Sequence, residues 1–156
     1  MGMAMTLKDF MSKMGTEYDL VSHPRTVTAL ETAEAAHVPG DRLAKCVVLH
    51  DDSGYVMAVV PSTHRVRLAM LRHQLHRPLQ LAQERELEKL FEDCDLGAMP
   101  PVVQAYGMAT IVADELAGQP EVYFEAGDHE DLVRVSGKEF RVLMSGAEPM
   151  ACSKHI

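Results

Sequence analysis

The sequence predicts an α+β fold with a mixed, strongly curved sheet and helices packed outside it, and three observations carry that prediction. Two nearly continuous apolar runs, from Ala44 to Leu49 and from Tyr55 to Val60, are joined by Asp51-Asp52-Ser53-Gly54, which is a hairpin signal. Their lack of polar alternation puts that hairpin in the centre of the sheet, covered on both faces. Helix signatures and further strand-like runs then alternate along the chain without repeats or low-complexity linkers. Finally, 156 residues that are 47% hydrophobic suffice for one domain with a substantial core, whereas two domains would be cramped.

The elements follow in order. Thr6 opens a short helix to about Met14, with Asp9 answering Thr6 as an N-cap partner and Gly15 as the stop. Asp19 to Ser22 reads as a strand that leaves through His23-Pro24. Thr28 and Glu31 make a capping box for a helix through Ala36, closed by Val38-Pro39-Gly40. After the hairpin, helices are expected at Val66 to Leu75 and Glu84 to Phe91. The loop Asp95-Leu96-Gly97-Ala98-Met99-Pro100-Pro101 is barred by its prolines from helix or central strand. Strands recur at Thr110 to Ala113, Val122 to Glu125 and Leu132 to Val135. Ser136 and Glu139 form a second capping box, opening a last helix to about Met144. The expected core spans about residues 18–143, and residues 145–156 read as a frayed tail.

Composition narrows the function classes. A net charge of −8 argues against holding nucleic acid by bulk electrostatics. No apolar run is long enough to span a bilayer, and the N-terminus lacks a basic-then-apolar leader, so a cytoplasmic protein without membrane contact is expected. Cys46, Cys94 and Cys152 are odd in number and far apart, which suggests neither a disulfide framework nor a CxxC site. Eleven methionines, with no tryptophan, must fill the irregular gaps of the core.

Lys45, in Leu43-Ala44-Lys45-Cys46-Val47-Val48-Leu49, is the residue that asks for an explanation. Alternation puts it on one strand face with Leu43, Val47 and Leu49. An ammonium there must snorkel out, pair, or reach a wet cleft in which it can hold an anion. A second charged feature is the stretch from His64 to Arg77, which carries Arg65, Arg67, Arg72 and Arg77 without one acid, followed by the acidic stretch from Glu84 to Asp95. Read as a basic helix, it would either grip a phosphate backbone or pair with the acidic helix after it. His73 and His76 sit three apart on that helix, but no third ligand with suitable spacing follows, so no metal is expected.

Taken together, the strand lysine, the Gly97-to-Pro101 Gly-x-x-x-Pro loop and the segment Phe124-Glu125-Ala126-Gly127-Asp128-His129 resemble the YbaK and prolyl-tRNA-synthetase-associated editing domain family. His23-Pro24, Ala33, Pro39-Gly40 and the hairpin ending at Pro61 add to the likeness, which covers about Tyr18 to Leu143. The resemblance implies a partly closed, barrel-like mixed sheet. It also implies an enzyme that hydrolyses the ester between a wrong small amino acid (alanine, cysteine or serine) and its tRNA, above all proline tRNA, without metal or organic cofactor.

By that resemblance Lys45, Gly97 and Pro101 would be the catalytic set, with Lys45 on the phosphate of the terminal adenosine. His23, Ala98, Met99, Pro100, Val102, Val103, Asp128 and His129 would hold the aminoacyl group; with tRNA as the substrate, the basic run of Arg65, Arg67, Arg72 and Arg77 becomes the candidate for its phosphates on grounds of charge. The acceptor end of aminoacyl-tRNA is the implied partner, acting with or without prolyl-tRNA synthetase, and the chain would be a monomer or a homodimer. Cys46 replaces a Thr or Ser, and Val102-Val103 replaces a glycine-bearing pair, that many relatives carry; both departures bear on amino-acid choice. The reading from a different class is a non-catalytic aminoacyl-tRNA or nucleotide-binding module or regulator with the same cleft.

Overall fold

A computed structural model describes residues 3–95, 97–101 and 107–156. The order of elements is α1 (Met5–Met14), β1 (Asp19–Ser22), α2 (Ala29–Ala35), a 3-10 turn (Gly40–Arg42), β2 (Leu43–Asp51), β3 (Gly54–Pro61), β4 (His64–Val66), α3 (Leu68–Leu75), β5 (Gln80–Leu81), α4 (Glu84–Leu90), β6 (Ala109–Ala113), α5 (Asp114–Ala117), β7 (Glu121–Glu125), β8 (Asp131–Ser136), α6 (Gly137–Leu143), β9 (Glu148–Met150) and β10 (Ser153–His155). The main sheet runs β1-β8-β7-β2-β3-β6-β9, with β5 also on β2, while β4 and β10 form a separate ribbon. Pairing is antiparallel in β1-β8, β7-β8 and β2-β3, and parallel in β2-β7, β3-β6 and β6-β9. This is the mixed α+β architecture that the sequence predicts.

The hairpin lies in the middle, as its unbroken apolar runs require. Its register runs from Ala44 opposite Pro61 to Asp51 opposite Gly54. The turn needs Gly54, whose φ is 130°, a conformation that costs other residues dearly. β3 is almost wholly buried, because side chains on one face enter a core with Phe124, Phe140, Leu7 and Met11, and those on the other face meet Leu71, Leu79 and Cys152. A third apolar cluster, of Ala33, Val38, Leu43 and Leu132, packs under α2.

In both predicted capping boxes the N-cap half forms. Thr28 Oγ1 accepts the Glu31 N–H at 3.2 Å, and Ser136 Oγ accepts that of Glu139 at 3.1 Å. The first helix differs. It is preceded by Ala4 with no side-chain cap of its own, and the Thr6 N–H is instead met by Asp93 Oδ2 at 2.8 Å, a remote acceptor that local spacing does not reveal. Gly15 ends α1 at φ 67° as expected.

Two larger corrections concern the charged stretch and the C-terminus. The run from His64 to Arg77 is not one basic helix, because β4 takes its start and α3 begins only at Leu68. Residues after Ser145 are no frayed tail: β9 pairs in parallel with β6, β10 pairs with β4, and Cys152 is fully buried between them. Both errors have the same cause. Short strands of mixed polarity gain their backbone hydrogen bonds from distant partners rather than from a local pattern. Among the described residues no helix is long and apolar enough to cross a membrane.

Candidate functional site

The site arises where one edge of β2 changes partners. Leu43 and Ala44 pair with Tyr123 and Phe124 of β7, whereas Leu49 and His50 pair with Leu81 and Gln80 of β5. Between these two pairings no strand among the described residues pairs with the edge at Lys45, Cys46 and Val47. The loop of residues 97–101 enters the gap, and the Cys46 thiol donates to the Met99 carbonyl at 3.1 Å. A cavity of about 160 Å³ remains, walled by Leu43, Ala44, Lys45 and Cys46 of β2, by Gly97 and Met99 of the loop, by Glu125 of β7 and by Ala29 of α2. That is well below the roughly 300–1,000 Å³ of pockets for drug-sized ligands, so it suits a group of few atoms.

Lys45 does reach the cavity, as its apolar strand face predicts. It makes no hydrogen bond or ion pair with any described residue. Burial and the nearby charge of Arg65 both hold its ammonium below the usual lysine range. The nearby charge of Arg65 adds to that of Lys45 on this side of the cavity, an arrangement that favours an anion there. Gly97 has φ +81°, and a Cβ there would lie 3.2 Å from His129 Cε1 and 3.8 Å from the carbonyl of Val27. The glycine thus serves both a left-handed backbone and a close approach. His129 itself is buried at φ 61° and backs the loop rather than lining the cavity.

Other expected site residues are placed differently. Ala98, Pro100 and Pro101 are buried in the packing and are not walls of the cavity. Prolines here stiffen the loop. Asp128 caps the β7–β8 turn, its Oδ1 accepting the N–H groups of Glu130 at 3.1 Å and Asp131 at 2.9 Å. Burial opposes its charge, but these donors and the Asp131 carboxyl keep it below the usual carboxylate range. His23 is buried beside the same turn, its backbone N–H bonded to the Glu130 carbonyl and its Nδ1 2.8 Å from the carbonyl of Pro24. Val102 and Val103 lie outside the described residues.

The four arginines divide. Arg65 and Arg67 are exposed. Arg72 donates through Nε to the Leu79 carbonyl at 2.8 Å. Arg77 is taken up by Asp51 at the hairpin tip, through Nε at 2.7 Å and Nη2 at 2.6 Å, and this fork holds the Asp51 carboxyl down to about 2. Its protein partner is thus Asp51 and not the acidic helix α4, which corrects the second of the two expectations for Arg77. Glu86 of that helix meets the Tyr55 hydroxyl and His50 instead.

The residue that sequence reasoning missed is Glu125. It is 8% exposed, lines the cavity, and its Oε2 is buried without a hydrogen-bond partner. Burial pushes the carboxyl up to about 7, against a hydrogen bond from Thr32 and together with the charges of Asp128 and Asp131. A signal was present, because Glu125 ends an apolar strand much as Lys45 begins one, yet as a strand terminus it reads as solvent-facing. Cys46 is the opposite case. Burial above all, with Cys94 and Glu125 near, raises its thiol well above the ordinary value, which disarms it as a nucleophile.

A larger cavity, about 560 Å³, lies elsewhere, between Glu17, Asp19, Glu121 and Arg134. Its charges satisfy one another, with Arg134 on Glu121 at 2.9 Å and on Asp19 at 3.0 Å. No group of His, Cys, Asp and Glu suited to a metal occurs among the described residues.

A mixed sheet that opens at one strand edge onto a small cavity, walled by Lys45 and a glycine-bearing loop, with helices packed outside it, defines an α+β domain. The chain belongs to the aminoacyl-tRNA editing domain family, whose model matches residues 23–143. Solved structures agree with the fold. One described as a "putative trans-editing enzyme for prolyl tRNA synthetase" is 25% identical with a TM-score of 0.83, covering 97% of this chain and 96% of its own. A hypothetical protein, APE2540, is 20% identical with a TM-score of 0.83, covering 96% of this chain and 99% of its own. A structure from computational grafting of epitope backbones onto scaffold proteins is 21% identical with a TM-score of 0.84, covering 98% and 97%. No curated protein matches the chain.

Proposed function

We propose that the chain is a trans-acting aminoacyl-tRNA deacylase that hydrolyses the ester of a small mischarged amino acid, alanine, cysteine or serine, on proline tRNA. The observation that carries this reading is the cavity of about 160 Å³ beside an unpaired Lys45. Family membership supports an editing role, and the neighbour described as a trans-editing enzyme for prolyl tRNA synthetase supports proline tRNA as the acceptor.

In this reading the ammonium of Lys45, with Arg65 beside it, holds the phosphate of the terminal adenosine. The aminoacyl ester then lies over Gly97 and Met99. Such an ester is already activated, so its cleavage by water needs mainly a fixed carbonyl and stabilisation of the developing oxyanion. The proposed contributions of the protein are position and exclusion of larger groups. Size works in one direction only: a ring such as proline's overfills the site, whereas a single methylene or hydroxyl discriminates by only about 1–3 kcal/mol. Cys46 is no nucleophile here, because its thiol is committed to Met99 and its proton is held.

The test is a deacylation assay with proline tRNA charged separately with alanine, cysteine, serine and proline. Faster loss of one or more of the small amino acids than of proline is expected. Binding of these tRNAs without turnover of any would replace the enzyme by a non-catalytic recognition module.

A further inference from the structure

Lys45 and Glu125 both line the cavity, carry opposite charges, and do not pair with each other. The strands explain why. Leu43 stands opposite Tyr123 and Ala44 opposite Phe124, so continued pairing would set Lys45 opposite Glu125. The strands part at that step, and the charge pair that an ordinary ladder would close is held open across the cavity. Each side chain faces the cavity with a charge that a ligand group of the other sign would complement.

We infer that Glu125 is the receptor for the α-ammonium group of the aminoacyl moiety, its buried Oε2 supplying the carboxylate partner while Lys45 takes the phosphate. This deepens the proposed function and rests on it. A charged amine entering a dry cavity loses its hydration and must find a carboxylate or carbonyl there. Glu125 is the carboxylate among the described walls of the cavity, and its Oε2 has no protein donor to lose on binding. Around it stand Thr32 from α2, Cys46 and Lys45 from β2, and Asp128 and Asp131 from the β7–β8 turn. Two of these are acids, which strengthens the local preference for a cation. The consequence is selectivity for a free α-amine: a substrate with a hydroxyl in its place keeps its size and loses its anchor.

The experiment measures binding of two non-hydrolysable 3′-amide analogues of adenosine 5′-phosphate, one alanyl and one lactyl, which differ only in ammonium against hydroxyl. The wild-type chain is expected to prefer the alanyl analogue by tenfold or more at about pH 7.5, and Glu125→Gln to erase that preference by weakening the alanyl analogue alone. The preference should also shrink in the wild-type chain toward about pH 5.5, where Glu125 takes up a proton, so the inference does not depend on how the variant folds. Equal affinities in the wild type, or a preference that Glu125→Gln leaves intact, overturn it. Deacylation of alanyl-tRNA is read separately. A chain that binds the alanyl analogue with this preference but leaves the ester uncut keeps the amine receptor and loses the deacylase reading.

Discussion

The two edges of β2 face opposite demands. Along β3 the strand is paired without a break from Ala44 to Asp51, with Met57, Ala58, Val59 and Val60 wholly buried. Along its other edge it pairs for one short step with β7 and another with β5, and the gap between them holds Lys45, Cys46 and the inserted loop. One strand thus carries a closed seam that stabilises and an open seam that binds. Polar side chains are costly at the first and useful at the second.

Crossed substitutions separate the two roles most sharply. Lys45→Ala at the open seam should lower deacylation by about two orders of magnitude or more, the scale of a lost electrostatic clamp, and leave thermal unfolding nearly unchanged, because Lys45 has no described partner to strand. Met57→Ala at the closed seam should do the reverse. Its side chain is fully buried, so truncation should cost about 2–5 kcal/mol of stability, with kcat retained by the molecules that remain folded. Comparable losses of stability in both variants would show that the seams are not separable.

Gly97→Ala comes next. The new methyl meets His129 Cε1 at 3.2 Å and imposes φ +81° on a residue with a Cβ, a strain on the order of 1 kcal/mol or more. The loop must shift or His129 must turn, and a loss of about tenfold in kcat/KM for alanyl ester is expected, since misplacement by about 1 Å can cost up to a hundredfold. Activity equal to that of the parent would mean that Gly97 does not border the bound ester.

Legibility differed between the same two regions. The hairpin and its central place could be read because apolar runs and a turn signal are local. Lys45 could be singled out because it breaks a local rule, a charge in an apolar strand, and Gly97 because its Gly-x-x-x-Pro loop resembles that of the editing family. Glu125 could not, since its meaning depends on the parting of β2 from β7, a property of two strands far apart in sequence. Arg77 misled for the same reason: its Asp51 partner lies 26 positions away, and a string of basic residues says nothing about which are already occupied. The two C-terminal strands were lost because their hydrogen bonds, not their side chains, hold them.

Glu125 also leaves a mark on stability in the empty protein. Its folded value of about 7 lies above the 4.5 of a free glutamate, so between those values the folded state binds more protons than the unfolded one, and stability falls as pH rises through the window. Glu125→Gln removes the penalty. It should stabilise the chain by up to about 3 kcal/mol near pH 8 and by little near pH 4. Melting curves at the two ends of the window check this, and an equal effect at both would mean that the carboxyl is better solvated than its position in the cavity implies.

The smallest effect, and the one that sharpens the comparison at the surface, concerns Arg65 and Arg77. Both stand in the same basic run, but Arg65 is exposed beside Lys45 at the open seam, whereas Arg77 is locked on Asp51 at the tip of the closed one. Arg65→Gln should weaken tRNA binding and flatten its dependence on salt by about one unit of slope, as one phosphate contact is lost. Arg77→Gln should leave that slope alone and lower the melting temperature slightly, through the loosened hairpin tip. The Asp51 pair is formed at all pH values above its carboxyl's range near 2, so the melting effect should persist in mild acid and disappear only as that carboxyl is protonated. Equal changes of salt slope in the two variants would mean that Arg77 leaves Asp51 when tRNA binds, and that the closed seam takes part in recognition after all.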